Sequence, residues 1–142
     1  MADAFELEVA TPERLIVEEL VTESQIPARD GYIGVLPGHA PLVAELQTGV
    51  LSYVARGRTR YLAIHGGFVE VLPDHVRVLA DLGERAEEID VNRAQAALQR
   101  AQRTMEEPHV DIDPAAALAE MQKAQARLEA AAKGNSAHTG VQ

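Results

Sequence analysis

The spacing of apolar residues changes once along this chain, near Ile89, and that change limits the fold more than any other feature. Before it, apolar residues alternate or come in runs of two to four, bounded by turn chemistry rich in Gly, Pro and Asp. After it, Ala94, Ala97, Leu98, Ala101 and Met105 recur at i, i+3, i+4, i+7 and i+11, which is one face of an α-helix. A period of two cannot bury one face of a helix, and a period near 3.6 cannot bury one face of a strand. The chain is therefore a sheet module followed by a helical one.

Within the first module, Phe5-Glu6-Leu7-Glu8-Val9 alternates cleanly. Further apolar runs follow at Leu15-Ile16-Val17, Leu42-Val43-Ala44, Val50-Leu51, Tyr61-Leu62-Ala63-Ile64, Phe68-Val69 and Val76-Arg77-Val78. They are separated by Arg29-Asp30-Gly31, Gln47-Thr48-Gly49, Arg56-Gly57, His65-Gly66-Gly67 and Pro73-Asp74. Short strands at this spacing predict an all-β antiparallel sandwich over residues 1–86, with no helices to support a parallel sheet. The stretch Gly31 to Pro41 stands out, with three glycines and two prolines among apolar residues and His39. It reads as a short buried strand entering a rigid corner, since Pro fixes φ and Gly supplies conformations closed to other residues.

For the second module, Asp90 is the expected N-cap of a first helix and Pro108 its end. Asp113-Pro114 announces a second helix whose stripe is Leu118, Met121, Ala124 and Leu128, with Gly134 as a plausible stop. Helices this close in sequence are expected to pack as an antiparallel hairpin over residues 87–134, leaving a disordered polar tail at 135–142. The seam is mostly Ala. Each Ala buries little area, so the hairpin is expected to open more readily than a Leu-rich one, as a latch would.

Charge narrows the function. The net charge is −9, and all of it lies in residues 1–90, where sixteen acids face seven arginines. Residues 91–142 carry six of each sign. An acidic body argues against nucleic-acid binding, which relies on a cationic face. The chain has no Cys, which excludes disulfides and thiolate metal sites, and no apolar run near the roughly 20 residues that span a bilayer. No two of the five histidines lie at i+3 or i+4, there is no phosphate-loop or nucleophile-elbow motif, and the acid pairs read as solvated faces. No catalytic constellation and no metal site is visible. The one suggestive cluster lies in the hairpin. There Arg93, Arg100, Lys123 and Arg127 are spaced to converge, either as a polyphosphate site or as ordinary helix charges paired with Glu120 and Glu129.

Three segments together carry a resemblance: Gly31-Tyr-Ile-Gly-Val-Leu-Pro-Gly-His-Ala-Pro-Leu42, then Gly49-Val-Leu51, then His65-Gly-Gly-Phe-Val-Glu-Val71. In that order, and followed by two helices, they closely resemble the epsilon-subunit family of bacterial F-type ATP synthases over residues 4 to about 133. The resemblance implies a non-catalytic rotor subunit of a proton-translocating ATP synthase, peripheral on the cytoplasmic face of the bacterial inner membrane. It implies contact with the c-subunit ring through Arg29, Asp30, Gly31 and Tyr32, and with the gamma subunit near His39. The hairpin would exist docked on the sandwich or extended into the catalytic head, where it blocks ATP hydrolysis. Extended, Arg103, Lys123, Arg127 and Lys133 would meet acidic loops of the alpha and beta subunits.

No cofactor is required by this resemblance, but regulatory ATP is an optional ligand. Some members bind it through Ile/Leu-Asp-x-x-Arg-Ala, matched here by Ile89, Asp90, Arg93 and Ala94, with Arg100, Lys123 and Arg127 at further nucleotide positions. Lys123 stands where an Arg is usual, which loses the bidentate fork, and Ala116 where another Arg can occur. Two rival readings remain beside the rotor subunit: a free-standing ATP sensor, and an enzyme on a β-sandwich scaffold.

Overall fold

A computed structural model describes residues 3–107, 111 and 113–139, with the backbone alone at 137–139. The strands are β1 (Phe5–Ala10), β2 (Leu15–Val21), β3 (Glu23–Ala28), β4 (Gly31–Val35), β5 (Leu42–Glu45), β6 (Gly49–Ala55), β7 (Arg58–Val71) and β8 (His75–Arg85). A 3₁₀ turn at Ala86–Glu88 leads into α1 (Val91–Glu106) and α2 (Pro114–Thr139). The sheet runs β2-β1-β8-β7-β6-β3-β4, with β5 on the second half of β7.

The sheet closes into a sandwich because β7 serves both layers. Its first half pairs with β6, Ile64 opposite Gly49, and its second half with β5, Phe68 opposite Glu45. The sequence reading placed a turn at His65-Gly66-Gly67, but the strand runs straight through those residues and bends there. Gly66 and Gly67 have φ of 71° and 107°. The bend also changes which side faces inward: Leu62 and Ile64 enter the core before it, Val69 and Val71 after it. Around them pack Phe5, Leu7, Val9, Val21, Ile26, Val35, Leu51, Val76 and Val78, giving the sandwich a core of its own. A true two-residue turn does occur at Arg56-Gly57, where both residues have positive φ, the geometry that matches the twist of a β-hairpin.

Two further differences have simple causes. All pairings are antiparallel except β1 with β8, which are parallel. These strands lie at opposite ends of the module and meet through the whole fold rather than through a hairpin. The strand Gly31–Val35 is an edge and not a buried strand; only Val35 is buried, and Tyr32 is 53% exposed. In the corner beyond it Gly38 has φ 83° and its amide donates to the Pro73 carbonyl at 2.8 Å.

The helices start as their sequence dictates. The Asp90 carboxylate accepts from the Arg93 amide at 3.1 Å, and the Asp113 carboxylate from the Ala115 amide at 3.0 Å. Pro108, the expected end of the first helix, lies outside the described residues. Gly134 does not stop the second helix, which continues to Thr139 through much of the expected disordered tail; residues 140–142 lie outside the described ones. Gly134 has a different task. A Cβ on it would stand 2.7 Å from the Ala86 Cβ, so the missing side chain lets α2 press against the 3₁₀ turn.

Candidate functional site

The candidate residues fall in two regions. The first is the joint where the hairpin lies on the sandwich. From the sheet, Val50 and Ala63 project outward; from above, Ile89, Ala126, Ala130 and Ala131 cover them, with Tyr61 at the margin. The other buried helix positions, Ala94 and Ala101 on α1 and Ala117 and Ala124 on α2, are also alanines. Thus α2 is lined with small side chains toward the sheet and toward α1. Sequence reading found only one stripe, because alanines on several sides blur the helical period. Leu118 and Met105, expected in the seam, are 40% and 47% exposed. They sit toward the turn between the helices, away from the α2 residues that rest on the sheet.

Polar contacts at the joint fall into two groups, one at the 3₁₀ turn and one on α2. Arg14, from the turn between β1 and β2, reaches Glu88 at 2.6 Å, and Arg85 reaches the same carboxylate at 3.2 Å. These guanidinium groups, Arg14 first, hold the Glu88 carboxyl below the usual range for a glutamate. Arg85 also donates to the Ile16 carbonyl. The 3₁₀ turn is therefore tied to the sandwich. Beyond it, the cross-joint ion pair among the described residues is Arg127 on α2 with Glu84 on β8, at 2.5 Å.

The expected nucleotide residues are only partly assembled. Ile89 is a buried wedge, Asp90 is occupied as a cap, and Ala94 is buried. Arg93 and Arg100 are exposed on α1. Lys123 pairs with Glu120 at 3.4 Å, and Arg127 with Glu84. Lys123 and Arg127 do converge on His65 beneath α2: burial first, then the charges of Arg127 and Lys123, lower its proton affinity. Glu84 and His65 were not singled out as site residues, since nothing local in the sequence marks an acid or a histidine on the outer face of a strand as lying under a helix.

The second region lies around the β3–β4 turn and reaches the margin of the joint at Val50. Arg29 and Asp30 form the turn between β3 and β4, and Arg29 holds Glu45 at 2.9 Å. Tyr32 folds back so that its hydroxyl accepts from the Val50 amide at 3.1 Å. Residues Ala28 to Ile33 and Leu42 to Glu45 line a groove of about 690 Å³. Nearby His39 is half-buried, its ring Nδ1 2.6 Å from the Ala40 carbonyl. Val43, Phe68 and Leu79 are 69%, 58% and 52% exposed, with Phe68 and Leu79 paired across β7 and β8. Among the described residues no group of three or more His, Asp or Glu is placed to hold a metal ion, and no helix is long and apolar enough to cross a membrane.

This division into sandwich and hairpin coincides with two family models. The ATP synthase delta/epsilon chain β-sandwich domain matches residues 4–86, and the long α-helix domain of the same chain matches residues 87–132. The chain belongs to the ATP synthase delta/epsilon family. Within it, the chain is 59% identical over 133 residues to the ATP synthase epsilon chain of Solibacter usitatus, covering 94% of this chain and 99% of that one. It is 54% identical over 106 residues to the epsilon chain of Koribacter versatilis, covering 75% of each. A chain in the structure of the Euglena gracilis mitochondrial ATP synthase, OSCP/F1/c-ring, superposes with a TM-score of 0.81 at 25% identity, over 93% of this chain and 83% of that one. Epsilon-type members are structural and regulatory subunits of ATP synthase rather than catalytic ones, which accords with a surface of grooves and seams.

Proposed function

We propose that this epsilon-type chain is a central-stalk subunit that links the catalytic head to the c-ring and brakes ATP hydrolysis when its hairpin leaves the sandwich. The observation that carries this reading is the joint. The sandwich has a complete core without the helices, whereas the hairpin rests on it through alanines, one isoleucine wedge and the Arg127–Glu84 pair. A contact of small side chains separates at lower cost than one of large ones, which is what a two-state element needs. Release at Ile89 would leave the Arg14–Glu88 tie intact and free Arg127 from Glu84. Together with Arg103, Lys123 and Lys133, Arg127 would then be available to acidic loops of the alpha and beta subunits.

The docked sandwich has two faces for rotor partners. The turn Arg29, Asp30, Gly31 and Tyr32 with its groove suits the c-ring. The exposed apolar trio Val43, Phe68 and Leu79, with His39 at the adjoining corner, suits the gamma subunit, since contiguous exposed apolar surface marks protein contacts. Through these partners the chain would be peripheral at the cytoplasmic face of the inner membrane.

The deciding experiment compares two proteins added to a catalytic head stripped of its own epsilon: the full chain and a chain ending at Glu88. The full chain is expected to slow ATP hydrolysis severalfold, while the shortened one binds without slowing it. Equal rates with both bound would remove the braking role.

Regulatory ATP would act on the docked hairpin, drawing Arg127 and Lys123 away from Glu84 and Glu120. At ten times its dissociation constant ATP would favour the docked state by about 1.4 kcal/mol. Thermal unfolding of the full chain is expected to shift upward with ATP, and the shift to vanish in Arg93→Ala. An unchanged shift in that variant would place any nucleotide elsewhere. A chain that showed the shift but did not bind gamma would instead be a free-standing sensor.

A further inference from the structure

We propose that His65 is a pH-operated latch: neutral and buried, it permits the hairpin to lie on the sandwich, and its protonation drives the hairpin off. This rests on the reading above that the hairpin is releasable. His65 lies on β7 two residues beyond Ala63 on the face that α2 covers, and it is 3% exposed. Neither ring nitrogen has a hydrogen-bond partner among the described residues. A buried polar ring without partners is costly to keep, so an apolar side chain would serve packing better.

The groups around it explain why a proton would be expelled. From α2 come Arg127, Lys123 and Glu120, two cations against one carboxylate. From β8 the paired residue is Leu82, and Glu84, farther along the same strand, is engaged by Arg127. Asp81 stands against Gly66. β6 begins at Gly49, opposite Ile64, and brings no ionisable group there. A charged imidazole would be a third cation in a closed space. Burial first, then Arg127 and Lys123, push the His65 pKa from 6.5 to about 4.

With the hairpin released, those causes disappear and the ordinary value returns. The docked form then binds fewer protons than the released form, so docking weakens as pH falls below about 6.5 and is unaffected above it. Between about pH 7.5 and pH 5.5, a docked value of about 4 against 6.5 raises the released-to-docked ratio by about tenfold. Acidification would thereby engage the brake.

Since the chain has no cysteine, Thr59→Cys on the sandwich and Ala132→Cys on α2, both exposed positions, accept a donor and an acceptor dye in the full chain. Energy transfer measured at the two pH values is expected to report the tenfold change. His65→Leu and His65→Asn, which differ in packing but neither of which titrates, are both expected to abolish it. A proton resonance of the His65 ring should titrate below 6.5 in the parent chain, in step with the loss of transfer. The latch is overturned by an unchanged transfer efficiency in the parent chain, by an equal pH response in either variant, or by a ring midpoint near 6.5 in the parent chain. Gly134→Leu separates the causes of failure. If it lowers transfer while the parent ignores pH, the latch alone falls; if even it leaves the hairpin docked, the releasable hairpin falls with it.

Discussion

Gly67→Ala is expected to unfold the sandwich, or to leave so little stability that urea denatures it well before the parent chain. A Cβ at this position would sit 2.0 Å from the Leu79 carbonyl oxygen and 2.8 Å from the Ala80 Cα, both backbone atoms of β8. Those atoms cannot swing aside as a side chain would. The φ of 107° adds strain, because L-residues avoid that region. Relief requires prising β8 from β7 at the bend that lets β7 join both layers. The cost is expected to exceed about 4 kcal/mol, a large part of the 5–15 kcal/mol that holds a domain folded. Gly66→Ala is the internal control. Its Cβ would meet the Asp81 carboxylate at 2.6 Å, the free end of a side chain that can rotate away. A loss of about 1–3 kcal/mol is expected there, from backbone strain alone. Urea midpoints that fell equally for the two variants would show that the backbone clash at Gly67 is relieved in some other way.

Gly134→Leu is expected to open the joint while leaving the sandwich folded. The Ala86 Cβ, 2.7 Å from the position of the new Cβ, belongs to the 3₁₀ turn that Arg14 and Arg85 tie down through Glu88. Neither side can yield easily. Overpacking of this kind costs about 1–3 kcal/mol, and the docked state alone bears it. At about 2 kcal/mol the released population would rise roughly thirtyfold. The midpoint for unfolding the sandwich should not move, since its core lies on the other side of β6 and β7 from α2. Added to a catalytic head lacking epsilon, the variant should brake hydrolysis more strongly than the parent chain. A variant that brakes less would mean that the docked form, not the released one, is the inhibitor.

Much of this arrangement was legible in the chain. The change of period near Ile89 separates the modules at the residue where the helical half begins, and Asp90 and Asp113-Pro114 mark both helix starts. These signals are local: a cap or an alternating run acts within a few residues, so it survives in any context. The glycines were read less well. Gly66-Gly67 resembles a turn and is a bend within a strand; Gly134 resembles a stop and is a contact. In both cases permissive backbone was visible, but its use depends on what lies across from it, β8 in one case and Ala86 in the other. The proposed nucleotide cluster shows the same limit. Spacing puts Arg93 and Arg100 on one helix and Lys123 and Arg127 on the other, yet the partners of Lys123 and Arg127 are set by Glu120 and by Glu84 of β8.

The sequence by itself determined that this protein is a sandwich followed by a helical hairpin, where each helix begins, and that its seam is built of alanine. Only the tertiary structure decided that β1 lies parallel to β8, that Arg14 ties the 3₁₀ turn to the sandwich, and that His65 has no partner among the described residues under two cations of α2. The physical reason is one of range. Periodicity and capping are paid out between near neighbours, whereas burial and charge depend on residues tens of positions away that only the closed fold brings together.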